Sequence, residues 1–137
     1  MNIDEVVEIL GLCHFLRAPK HIFITDEPVW KREDGLVYYR GLQPKAKADV
    51  IFLTRDADET TPIHETIHSM LGLGEFGTEI LTRIIVRKNE LLERFPALKE
   101  RLKKRLVYKK VESSSEFPLA HSKYKGRVEH YVLVSEY

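Results

Sequence analysis

Short apolar runs set between segments of helical periodicity are the feature that most limits the fold of this 137-residue chain. Three runs rich in Val, Ile, Phe or Tyr predict β-strands at His21–Thr25, Leu36–Arg40 and Val50–Thr54. The stretches between them are short and favour turns. Antiparallel strands need only short connections, whereas parallel strands need a crossover of about a dozen residues or more. We therefore expect a small, mostly antiparallel sheet.

Apolar residues at helical spacing predict helices before and after these strands in the sequence. The expected spans are residues 3–17, ended by Pro19, then residues 62–71, and a third from Thr78 to about Phe95. Thr61 is a favourable N-cap for the second helix, and Pro62 suits its first turn. The third helix should bury one apolar stripe, formed by Ile80, Leu81, Ile84, Ile85, Leu91, Leu92 and Phe95.

Beyond Pro96 the helical pattern continues to about Tyr108, because Leu98, Leu102 and Leu106 recur every four residues. Residues 113–117 are predicted to be a loop and residues 127–134 a terminal strand. Together these segments predict one α+β domain that covers residues 1–137.

Composition narrows the class of protein. Hydrophobic residues make up 43% of the chain and charged residues 31%, which suits one globular domain. Cys13 is the only cysteine, so an intramolecular disulfide and cysteine-rich zinc sites are excluded. The acidic start is unlike a signal peptide, and no apolar run approaches the roughly 20 residues that span a bilayer. We expect a cytoplasmic protein without a membrane partner.

The segment His64-Glu65-Thr66-Ile67-His68 carries the most specific chemistry in the sequence. Histidines four residues apart on a helix share a face, with Cβ atoms about 5–6 Å apart, so both rings can bind one ion. Glu65 is displaced around the helix and can act as a general base on a metal-bound water. The pattern therefore predicts a catalytic zinc site with His64 and His68 as ligands.

A catalytic zinc ion takes three protein ligands and one water. No third histidine follows at the HExxHxxGxxH spacing, because positions 74 and 78 are Gly and Thr. A carboxylate is the expected alternative. Glu75, placed in the glycine-containing loop 72–77, and Glu79, placed at the start of the next helix, are the two candidates.

With these motifs, residues 49–95 resemble the core of gluzincin-type metallopeptidases, particularly the small minigluzincins. The shared features are an extended segment, an HExxH helix, a glycine-containing turn and a helix bearing a glutamate. The resemblance implies a zincin-like domain that hydrolyses peptide or protein substrates, with Glu79 as the third zinc ligand and Glu65 as the base. It also implies that residues 49–54 form an edge strand that holds an extended peptide.

Two other functions compete with a peptidase. One is a zincin-like domain that binds metal without catalysis and serves as a binding or regulatory module. The other is a nucleic-acid-associated protein that uses the basic residues of segment 98–110, although the net charge of +1 makes nucleic acid an unlikely partner. Five residues could donate a hydrogen bond to an oxyanion, but no spacing singles one out: Tyr108, His121, Tyr124, His130 and Tyr131.

Overall fold

The computed structural model describes residues 1–13, 16–26, 41–42, 50–71, 73–111 and 128–137. Within them the chain is α+β, as predicted. The helices are α1 (Ile3–Gly11), α2 (Thr61–Leu71), α3 (Glu75–Glu93) and α4 (Pro96–Leu102). The strands are β1 (His21–Thr25), β2 (Gly41–Leu42), β3 (Val50–Thr54), β4 (Leu106–Val111) and β5 (Val128–Glu136). No helix in these ranges is long and apolar enough to cross a bilayer.

The strands form one mixed sheet in the order β2-β3-β1-β5-β4, in which β2 contributes only two residues. Three of the four strand pairings are antiparallel, but β1 and β3 at the centre are parallel. The pairings are thus mostly antiparallel, as expected, but the sheet is mixed. The 24 residues between Thr25 and Val50 are enough for a parallel crossover.

Two helix boundaries also differ from the sequence-based expectation. Helix α1 ends at Gly11 and does not continue to residue 17. The predicted helix over residues 98–108 stops at Leu102, where Lys103 turns to an extended conformation. The chain then enters β4, because residues 106–111 find an antiparallel partner in β5. Long-range strand pairing overrides the local helical spacing here.

The two faces of the sheet bury alternate residues of β1 and β3, as the pleat requires. On one face, Ile22, Ile24, Ile51 and Leu53 pack with Val6 and Leu10 of α1. On the other face, Phe23 stacks on Phe52 with 4.8 Å between ring centroids. A separate cluster joins α2 and α3 through Ile63, Ile67 and Ile85, with Cys13 and Leu16.

Several sequence-based predictions fall outside the described residues. They are the strand at 36–40, the loop at 113–117, Gly72 of the predicted loop 72–77, and the roles considered for His121 and Tyr124.

The last residue of α1, Gly11, lies where a side chain would not fit. A Cβ atom at Gly11 would lie 2.8 Å from the Lys104 carbonyl oxygen, and the Lys104 N–H donates to the Gly11 carbonyl. We expect Gly11→Ala to lower the free energy of unfolding by about 1–3 kcal/mol in urea denaturation. The matched control is Gly77→Ala in α3, where a Cβ meets only ordinary contacts. That variant should be neutral or slightly more stable. Equal effects of the two substitutions would contradict this assignment.

An ion-pair network around Glu129 predicts a specific pH dependence of stability. The Tyr131 hydroxyl and the Arg55 guanidinium both donate to this carboxylate and lower its pKa to about 2 from 4.5. The ionised carboxylate therefore contributes stability above pH 4.5, and this contribution is lost as the pH falls through about 2. We expect Glu129→Gln to cost about 1–3 kcal/mol at pH 7 and much less at pH 2, measured by chemical denaturation. A cost that does not change with pH would contradict the role of the charge.

Candidate metal site

The N-terminus of α2 is fixed by a side chain that lies outside the helix. One carboxylate oxygen of Asp58 accepts the backbone N–H groups of Thr60 and Thr61, at 3.0 and 3.2 Å. The Thr60 hydroxyl, these two N–H groups and the Thr61 hydroxyl all donate to Asp58 and lower the pKa of its carboxyl. Thr61 is thus the first residue of α2, and Asp58 supplies the capping oxygen that the sequence analysis assigned to Thr61.

Helix α3 begins three residues earlier than predicted. Gly74 is its N-cap with extended backbone angles, and Glu75 lies in its first turn. Glu75 is therefore helical, although the sequence had suggested that it belongs to a loop. The signal for this start was present, because an acidic residue directly after glycine is favourable at a helix N-terminus.

The buried side of α3 contains only part of the predicted apolar stripe, namely Ile85 and Leu92, together with two threonines. Thr78 and Thr82 are 0% and 2% exposed, whereas Ile80 and Ile84 are 45% and 58% exposed. The Thr82 hydroxyl donates to the Thr78 carbonyl at 2.7 Å, so this polar group is satisfied inside the protein.

The start of α3 places Glu75 against both histidines of α2. The His64 and His68 Nε2 atoms are 3.1 Å apart. Glu75 Oε1 lies 2.7 Å from His68 Nε2, and Glu75 Oε2 lies 3.4 Å from His64 Nε2. Four-coordinate zinc with bonds of 2.0–2.1 Å needs ligand atoms about 3.3 Å apart. These three donors therefore have the chemistry and the spacing to hold one metal ion.

Glu79 lies on the other side of the His64 ring. Its Oε2 atom is 3.5 Å from His64 Nδ1, and its Oε1 atom accepts from Arg83 Nε at 3.2 Å. His68 has a similar neighbour, because the Thr78 hydroxyl lies 3.5 Å from His68 Nδ1. Both Nε2 atoms thus face Glu75, while both Nδ1 atoms face side chains of the second turn of α3.

This arrangement assigns different positions to the two glutamates left open by the sequence. Glu75 lies against the Nε2 atoms of both histidines, whereas the resemblance implied that Glu79 is the third ligand. Glu79 lies where a carboxylate orients a ligating imidazole through its second nitrogen. Sequence reasoning did not single out Thr78, because nothing in a lone threonine indicates a histidine neighbour.

Glu65, the predicted general base, is 8% exposed on α2. Burial raises its pKa to about 8 from 4.5, and the negative charge of Glu75 adds to this shift. A buried carboxyl beside the histidine pair therefore holds its proton at neutral pH, unless a positive charge comes near.

The other polar side chains considered for catalysis make structural bonds away from the histidine pair. The Tyr108 hydroxyl donates to the Pro19 carbonyl, and Tyr131 donates to Glu129. His130 Nε2 lies 3.0 Å from His21 Nδ1 across the sheet.

Cys13 is 1% exposed, as expected of a core residue.

Strand β3 is not the free edge that the resemblance implied. It pairs with β1 along its whole length and with β2 at Phe52 and Leu53, and all five of its residues are buried. A peptide could not add to β3 where β2 occupies it.

The basic segment after Pro96 is partly neutralised by ion pairs. Lys99 binds Glu93 at 2.6 Å, Lys103 binds Glu8 at 2.5 Å, and Lys104 binds Glu136 at 3.1 Å. Of the three leucines that recur every four residues here, Leu98 and Leu102 are 44% and 39% exposed on α4, and only Leu106 is buried, in β4.

Comparison of the chain with models of known families, with curated proteins and with solved structures gives no match. The structure itself is an α+β domain in which α2 and α3 bring together two histidines and one glutamate, His64, His68 and Glu75.

Substitution of the two glutamates should separate ligand from orienting residue. We expect Glu79→Ala to lower the affinity for zinc about 10–100-fold, and Glu75→Ala to lower it further. Competition titration with a zinc chelator measures both. Glu93→Ala, at the far end of α3, is the control and should bind zinc like the wild type. The reverse order of effects would make Glu79 the ligand.

Proposed function

We propose that this protein is a zinc-dependent peptidase whose metal is held by His64, His68 and Glu75. The convergence of two imidazole nitrogens and one carboxylate on one point carries the proposal. Two histidines and one glutamate form a donor set known from catalytic zinc sites. Calcium and magnesium prefer sites made of oxygen atoms alone, so this set favours a transition metal.

A bound zinc ion would supply Lewis acidity, which polarises a peptide carbonyl and lowers the pKa of water to about 7. The chain's own contribution to proton transfer is Glu65. Its carboxylate would take the proton of the attacking water and deliver it to the leaving amine. A cation near His64 and His68 would favour the ionised form of Glu65 and so oppose the effect of burial on its pKa.

One observation favours a second candidate, a metal-binding module without catalysis. Glu65 is 8% exposed, and a general base must reach water in the site. In this alternative the buried carboxyl has only a structural role, and the metal fixes α2 against α3.

The substitution Glu65→Gln distinguishes the two functions. It keeps the three proposed ligands and removes the base, so zinc content should stay at one ion per chain. Peptide hydrolysis should fall by about 10²–10⁴-fold. Zinc content is measured by metal analysis and cleavage with a library of fluorogenic peptides.

Glu100→Gln is the control, because Glu100 is an exposed carboxylate on α4. It should leave both zinc content and hydrolysis unchanged. A wild-type protein that binds zinc but cleaves no peptide would support the binding module. A protein without zinc affinity would contradict both candidates.

A further inference from the structure

Helix α3 leaves a row of large apolar side chains in water, on the side opposite Thr78 and Thr82. The row consists of Phe76, Ile80, Ile84 and Leu91 on the helix and Phe95 just after it, which are 81%, 45%, 58%, 56% and 58% exposed. Single exposed apolar residues are ordinary on protein surfaces, but a row along 20 residues of chain is typical of an interface. We call these five residues the α3 stripe.

The spacing of the α3 stripe is symmetric about its centre. Ile80 and Leu91 lie at equal distances on either side of the midpoint between Ile85 and Val86, and so do Phe76 and Phe95. Two copies of a helix that pair antiparallel place such positions level with each other. Ile80 would then contact Leu91 of the second copy, and the two pairs of phenylalanines would close the ends.

The charges beside the α3 stripe complement each other in the same arrangement. Arg83 and Glu90 lie on one flank of the helix, at positions that antiparallel pairing brings within about 3 Å along the axis. By the two-fold symmetry this opposite-charge pair would occur twice across the interface. Ile84 would lie level with Arg87 of the second copy, whose aliphatic stem can cover it.

We propose that the α3 stripe is a homodimer interface, in which α3 packs antiparallel against α3 of a second copy. Parallel pairing about a two-fold axis would bring opposite flanks of α3 together, so Arg83 and Glu90, which share a flank, could not pair across the interface. The charges therefore favour the antiparallel arrangement. This interface does not depend on metal binding.

Sedimentation equilibrium of the full chain tests the dimer. We expect a mass twice the 16.0 kDa of one chain, with or without a chelator. A mass of 16.0 kDa at concentrations up to about 0.1 mM would overturn the proposal.

Charge reversal tests which residues face each other. Arg83→Glu and Glu90→Arg should each raise the dissociation constant about tenfold, and the double variant should restore it. These residues are seven positions apart, about 10 Å along one helix, so they cannot rescue each other within one copy. Single variants that leave the dimer unchanged, or a double variant no tighter than the singles, would overturn the interface.

Cross-linking tests the direction of the helices. Cys13 is buried, so only an introduced cysteine should react. A mixture of the Ile80→Cys and Leu91→Cys variants should form disulfide dimers upon oxidation. The Ile80→Cys variant alone should not, because its two copies would lie about 16 Å apart. Efficient cross-linking of Ile80→Cys alone would overturn the antiparallel arrangement.

Discussion

The packing of α2 against α3 is the contact on which the candidate site depends. Both histidines come from α2 and the carboxylate from the first turn of α3, so their distances follow from how these helices meet. Ile63 and Ile67 pack against Ile85 in this interface, and the small side chains of Thr78 and Thr82 are buried on the same side of α3. A shift of one turn in α3 would move its residues by about 5.4 Å and replace Glu75 with another side chain.

The local part of this site could be predicted from the sequence, and the long-range part could not. Histidines at positions 64 and 68 must meet if the segment is helical, because the i,i+4 geometry is a property of one helix. The third donor depends on where α3 begins and how it lies on α2, which no spacing within one segment determines. The sequence left Glu75 and Glu79 open, and the structure gives them contacts with opposite nitrogens of His64.

The fold shows the same division. Local signals predicted the α+β class, β1, β3, the terminal strand and most of α2. They did not determine which strands pair, and the parallel pairing of β1 with β3 was not foreseen. They failed at residues 106–111, which extend because β5 pairs with them. The buried side of α3 was predicted only in part. Ile85 and Leu92 face the core as expected, but hydrophobicity alone could not show that hydrogen-bonded threonines lie there with them. The other predicted residues Ile80, Ile84, Leu91 and Phe95 stay exposed and belong to the α3 stripe.

The central claim is that His64, His68 and Glu75 form one metal site. The most direct measurement is a crystal structure of the zinc-loaded protein with anomalous diffraction at the zinc edge. The account predicts one peak, about 2.0–2.1 Å from both Nε2 atoms and from a Glu75 carboxylate oxygen, with Glu79 contacting His64 Nδ1. A peak elsewhere on the protein, or zinc bound by Glu79 in place of Glu75, would contradict it.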